Sequence, residues 1–188
     1  METKRKTPAG KKTLAGVIGS ITAAVALFVM VPAEESGRTV AATAQADGSI
    51  QVRHVAGRLY LKPYLDIVNV PTACDGITRG VKLDQVYTEE RCNELLELEL
   101  IAHAEPIVGC VPKLYGRPNQ AIAAVSLSYN IGTAGFCRSS IARLWNAGKW
   151  RAGCDRFALY NKAGGRAVRG LTMRRAREHA VCIKGLAA

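Results

Sequence analysis

The sequence predicts an α+β fold in which a small β-containing lobe precedes a larger helical lobe. Three observations point to it. Residues 64–80 set β-branched side chains among turn formers (Asp66, Asn69, Pro71 and Asp75-Gly76), the pattern of a short twisted ribbon. Residues 118–131 are apolar nearly all round and rich in small side chains, the pattern of a buried helix. Further helical segments then follow to the C-terminus, so strand and helix separate along the chain.

The 188 residues allow one domain with a real core, plus extra segments. Formal net charge is +11. Part of it sits in a basic leader, residues 1–12, where Lys4, Arg5, Lys6, Lys11 and Lys12 stand against Glu2. The rest makes the body basic, which suits a polyanionic partner such as cell wall, anionic lipid or nucleic acid. Zinc-finger spacing and RNA-binding aromatic motifs are both missing from the sequence, which argues against nucleic acid. The six cysteines (74, 92, 110, 137, 154 and 182) form no Cys-x-x-Cys pair, and His54, His103 and His179 are scattered. Neither a metal site nor a cofactor is expected. An even cysteine count behind an export signal reads as disulfides; buried free thiols are the alternative.

Residues 13–33 run without a charge. At 1.5 Å per residue they would extend roughly 30 Å, the thickness of a bilayer core. Basic residues precede the run and Glu34-Glu35 follow it, which orients the body outward. The segment could be a cleaved signal, with Ala44-Gln-Ala46 as an Ala-x-Ala site and Val31-Pro-Ala33 as a weaker one. It could equally be an uncleaved anchor, although its Ala, Gly, Ser and Thr content makes it only modestly hydrophobic. Residues 34–49 are small and polar and read as a flexible linker.

The body, residues 50–188, begins with apolar positions at Ile50, Val52, Val55, Leu59 and Leu61, helix-like in their first part and closed by Pro63. After the ribbon, Thr88-Glu-Glu-Arg offers an N-cap and an acidic first turn for a helix running to about Pro106. The buried helix over 118–131 ends at Gly132. Segments 139–146 and 150–160 follow, then Gly164-Gly165, then a basic helix over 171–182.

Tyr64-Leu-Asp-Ile-Val-Asn-Val-Pro-Thr72 resembles the active-site hairpin of phage-type lysozymes, the endolysins of glycoside hydrolase family 24. Ser128-Tyr-Asn-Ile-Gly132, Gly135-Phe136, Ser139-Ser140, Tyr160-x3-Gly164-Gly165 and Gly170-Leu171-x2-Arg174-Arg175-x2-Glu178 look like further landmarks of that family, in order, over roughly residues 50–185. The resemblance implies a two-lobed lysozyme-like domain that cuts β-1,4 bonds of bacterial peptidoglycan, works as a monomer and is exported. It also implies a signal-arrest-release reading of residues 13–33, in which the segment tethers the chain to the inner membrane and later leaves it for the periplasm.

Inversion at the sugar carbon needs a carboxylic acid on the leaving oxygen and a carboxylate that activates water. By resemblance Asp66 is the base and Thr72 positions the water. Read from the residues alone, Asp66 is a turn cap and Thr72 an ordinary strand residue. The family places a glutamate about nine residues before the aspartate, which falls at Gly57, or at Ala56 with one insertion. Neither can donate a proton. His54 and Asp75 are the candidate substitutes; by composition the first reads as structural and the second as a turn residue. The expectation is therefore a muramidase impaired in catalysis, with a non-catalytic wall-binding or lysis-regulating protein as the alternative. Family packing further implies the disulfides Cys154–Cys182, Cys110–Cys137 and Cys74–Cys92.

Overall fold

The structure, a computed structural model, describes residues 12–187; the leader lies outside them except for Lys12. Helix α1 (Leu14–Ile18) and helix α2 (Ile21–Glu35) open the chain. Strands β1 (Thr39–Ala44) and β2 (Ile50–Ala56) form one antiparallel hairpin, and β3 (Tyr60–Leu65) and β4 (Pro71–Cys74) a second. Helices α3 (Glu89–Cys110), α4 (Pro118–Ile131), α5 (Thr133–Cys137), α6 (Ser140–Asn146) and α7 (Trp150–Asp155) follow. A two-residue hairpin, β5 (Lys162–Ala163) and β6 (Arg166–Ala167), precedes α8 (Arg169–Cys182). The α+β order, the ribbon and the buried central helix match the expectation.

Residues 13–33 are not one continuous helix. Thr13 caps α1 by accepting from the Gly16 amide. Gly19 takes a left-handed conformation (φ 71°) and ends it, and Ser20 caps α2 by accepting from the Ala23 amide. The two helices pack into the molecule: Leu14, Ile18, Leu27, Phe28 and Val31 belong to the same buried cluster as Leu96, Leu100, Val125, Leu127 and Trp145. No helix among the described residues is long and apolar enough to cross a membrane.

Two further expectations are corrected. Residues 34–49 are not a loose linker but the end of α2, strand β1 and a tight turn. Asp47 Oδ1 accepts from the Ser49 amide at 2.9 Å, and Gly48 turns the chain at φ 81°. Residues 50–62 are not a helix: β2 covers 50–56, a bend follows at Gly57 and β3 begins at Tyr60. Their apolar side chains also fit period two, and pairing with β1 (Val40↔His54, Ala42↔Val52, Ala44↔Ile50) decides between the periods. Val40 is buried and Ile50, Val52 and His54 half-buried, whereas Gln51, Arg53 and Val55 face solvent.

Helix α3 runs through Pro106 to Cys110 because its inner face is committed to the core: Ala104 and Ile107 are fully buried. Helix α4 buries every residue from Gln120 to Ser128. All three disulfides form with the expected partners, at Cα separations of 5.3 Å (Cys74–Cys92), 5.8 Å (Cys110–Cys137) and 5.7 Å (Cys154–Cys182).

Candidate active site

The ribbon presents Asp66 at its turn. The Asp66 amide donates to the Val70 carbonyl (3.0 Å), and Asn69 takes a left-handed conformation (φ 62°) to close the loop. Asp66 Oδ1 accepts from the amides of Val68 (2.9 Å) and Val70 (2.8 Å). Both bonds fall on one oxygen, so Asp66 caps its turn and still presents the other. Thr72 pairs with Tyr64 across the ribbon and is buried. Its hydroxyl donates to the Val70 carbonyl (3.0 Å), which leaves the oxygen as an acceptor.

The carboxylate that approaches this ribbon is Glu35, the last residue of α2. A Cβ added at Gly76, just past β4, would lie 3.9 Å from the Glu35 Cβ, so the end of α2 lies beside the turn that follows Thr72. Arg174, from α8, bonds the Glu35 carboxylate at 2.8 Å, and the Glu35 side chain is 22% exposed. Loss of solvent raises the Glu35 pKa above the ordinary glutamate value, against the opposing pull of Arg174. Tyr129, at the end of α4, completes this corner. Burial raises its phenol pKa, and the charges of Glu35, Glu99 and Asp75 add to the effect.

Arg174 is itself held. Its Nε bonds Glu178 at 3.2 Å and its Nη2 the Ser126 carbonyl at 3.0 Å, while Glu178 accepts from Ser126 Oγ at 2.7 Å. Beside it, Glu34 takes a bidentate bond from Arg177 (2.7 and 2.8 Å). The Arg-Arg-x2-Glu landmark thus fastens α8 to α4 and to the end of α2, a role invisible without the third dimension.

The positions read as a vacant acid site do not serve as one. Gly57 has φ 82°, and any Cβ there would meet the Gly37 carbonyl oxygen, so no glutamate side chain fits without backbone movement. Ala56 is exposed at the hairpin's end, opposite Thr39. His54 lies within β2 rather than on a helix, and its amide donates to Glu89 of α3. Asp75 is fully buried and ion-paired with Arg38 at 2.9 Å, so it is closed to a substrate. A recess of about 380 Å³ lies elsewhere, lined by Asp155, Asn161, Thr172, Arg175 and His179 and by none of Glu35, Asp66 or Thr72.

Glu35 escapes sequence reasoning because the β1–β2 hairpin separates it from the ribbon. A signal for that hairpin exists: Asp47-Gly48 flanked by alternating Thr39–Ala44 and Ile50–Ala56.

The phage lysozyme family model matches residues 56–178, starting at the last residue of the β1–β2 hairpin and beyond Glu35. The chain is 35% identical over 124 residues to the SAR-endolysin of Enterobacteria phage P21, covering 65% of this chain and 74% of that protein. It is 33% identical to the SAR-endolysin of Pseudomonas phage phiKMV, covering 64% and 77%. Among solved structures, a P22 lysozyme mutant superposes with a TM-score of 0.58 at 32% identity, over 66% of this chain and 88% of that one. The active form of P1 phage endolysin Lyz shares the fold, with a TM-score of 0.62 at 23% identity over 69% and 79%.

Proposed function

The chain belongs to the phage lysozyme family, and we propose that it is an active peptidoglycan muramidase of the endolysin kind, with Glu35 as general acid. The observation that carries this reading is the Glu35 carboxyl, short of solvent and with a raised pKa, standing against the turn that follows Thr72. An acid that holds its proton closer to working pH is suited to protonating a leaving sugar oxygen. The expectation of impaired catalysis rested on a fixed spacing of about nine residues back from Asp66, to Gly57 or Ala56, and the proposal replaces it with an acid on the far side of the β1–β2 hairpin.

In this mechanism Glu35 donates its proton to the glycosidic oxygen. Asp66, anchored through Oδ1, uses its second oxygen to take a proton from the attacking water. Thr72 accepts a hydrogen bond from that water, its own proton being engaged by Val70. Arg174 holds the Glu35 carboxyl in place and favours its charge once the proton has left. The substrate is the β-1,4 glycan of the bacterial wall, bound by a monomer.

Residues 13–33 act as a signal-arrest-release segment, as the names of the SAR-endolysin relatives suggest. Burial of Leu14, Ile18, Leu27, Phe28 and Val31 supports this over cleavage, because cutting after Ala46 would remove that part of the core together with Glu35. A permanent anchor is disfavoured because the same side chains cannot fill the core and a bilayer at once. The enzyme is inner-membrane tethered and then periplasmic.

The test is turbidity loss of purified peptidoglycan with the full chain beside Glu35→Gln and Asp66→Asn. The proposal expects lysis by the parent and a fall on the order of 10²–10⁴ for Glu35→Gln. A parent that binds walls without lysing them would instead establish the non-catalytic alternative.

A further inference from the structure

Asp75 is a fully buried carboxylate next to Gly76 and does no chemistry in the mechanism above. Both it and Arg38 have side chains at 0% exposure. Asp75 Oδ2 accepts from Arg38 Nη1 (2.9 Å), and Oδ1 from Ser36 Oγ (2.8 Å). Ser36 directly follows Glu35, and its hydroxyl also lies 3.0 Å from the Pro32 carbonyl of α2. Asp75 sits between Cys74, bridged to α3, and Gly76, beside which the Glu35 Cβ lies. Arg38 Nη2 continues to Asn93 Oδ1 of α3 (3.0 Å), and Asn93 Nδ2 donates to the Val52 carbonyl of the β1–β2 hairpin (3.0 Å).

We infer that Asp75, with Arg38 and Ser36, is a positioning device that clamps the Glu35-bearing helix end onto the ribbon segment carrying Thr72. The physical need is plain. The chain leaves the site at Gly37, runs out along β1, returns along β2 and only then enters the ribbon. Covalent continuity therefore does little to fix Glu35 relative to Asp66. A buried charge pair with directional bonds on both carboxylate oxygens supplies that restraint at the hairpin's base, where the two segments meet. Misplacing a reacting group by about 1 Å can cost on the order of 10²-fold in rate. The inference rests on the proposal that Glu35 is the general acid.

The experiment measures the maximum lysis rate, the half-saturating wall concentration and the pH–rate profile for four variants: Glu35→Gln, Ser36→Ala, Asp75→Asn and Arg38→Met/Asp75→Leu. Ser36→Ala removes one bond and leaves the ion pair intact, so it folds. The double variant replaces the pair with apolar side chains and leaves no unpaired buried charge, a change that proteins often tolerate. The expected result is a fall in maximum rate of about 3–10-fold for Ser36→Ala and about 10–100-fold for Asp75→Asn and the double variant. Half-saturation should stay within about twofold, and the basic limb should move to lower pH as Glu35 gains solvent. A merely structural role would lower the melting temperature and leave the limb and the rate per folded molecule unchanged. That result in Ser36→Ala and in either other variant overturns the inference. Retained lysis by Glu35→Gln sinks the acid assignment itself, whereas loss there with parental behaviour in the clamp variants sinks only the clamp.

Discussion

In the proposed mechanism Glu35 and Arg174 set the pH behaviour of the site. Loss of solvent raises the Glu35 pKa, while the Arg174 charge works the other way. Removing Arg174 should therefore push the Glu35 pKa higher still. In Arg174→Ala the basic limb of the pH–rate profile is expected to move to higher pH, with a lower maximum rate because the carboxyl is no longer held. The same shift has a stability consequence. A carboxyl whose pKa is raised by folding binds its proton more tightly in the native chain than in the unfolded one. Its contribution is fully present below the unfolded value and is lost as pH rises through the folded value. Glu35→Gln carries no such loss, so its urea midpoint relative to the parent should climb as pH rises above the ordinary glutamate range; a flat difference would show that the shift is absent. Gly57→Glu, the substitution that a vacant acid site would recommend, should not raise lysis. It should cost more than about 1 kcal/mol, read from the same urea curves, because φ is 82° and the Gly37 oxygen stands in the way.

At the scale of elements, α2 both fills the core and carries the proposed acid, Glu35, at its end. Leu27 and Phe28 are buried, so Leu27→Ala should cost about 2–5 kcal/mol. Because Glu35 ends the same helix, lysis should fall further than stability alone accounts for at a temperature where the variant is folded. The break at Gly19 is equally exacting. Its φ is 71°, and a Cβ there would lie 2.8 Å from the Tyr115 ring. Gly19→Leu should disfavour the α1–α2 corner and leave residues 13–33 as one longer apolar helix. Fractionation of expressing cells should then find more of the chain with the membrane and less in the periplasm.

Across the whole molecule, three disulfides tie segments separated by 18, 27 and 28 residues. Replacing either pair of the helical lobe, Cys110–Cys137 or Cys154–Cys182, with serines should cost about 2–5 kcal/mol. Rate per folded molecule should change little, since neither bridge touches the carboxylates. The Cys74–Cys92 bridge adjoins Asp75, so its loss should lower both melting temperature and maximum rate. Lysis and thermal melts of the three double-serine variants separate these outcomes.

Much of the architecture was legible in the residues because it depends on near neighbours. The ribbon over 64–80 follows from β-branched residues between turn formers, α4 from a small-residue apolar run ended by Gly132, and the start of α3 from the Thr88 cap. The lysozyme-like pattern around Asp66 and Thr72 is likewise local, so both could be named. The proposed acid, Glu35, could not, since a fixed spacing back from Asp66 assumes that sequence distance measures spatial distance. An eighteen-residue excursion through β1 and β2 (residues 39–56) breaks that assumption. Residues 50–62 fitted both helical and strand periods, and only pairing with β1 chose between them. The apolar run over 13–33 has the composition of a membrane segment; its place in the core is decided by the Gly19 turn and by the faces of α3 and α4 that receive it. Local chemistry determined which segments turn, cap and pair, whereas tertiary packing decided which carboxylate is brought to the ribbon and what the first helices bury against.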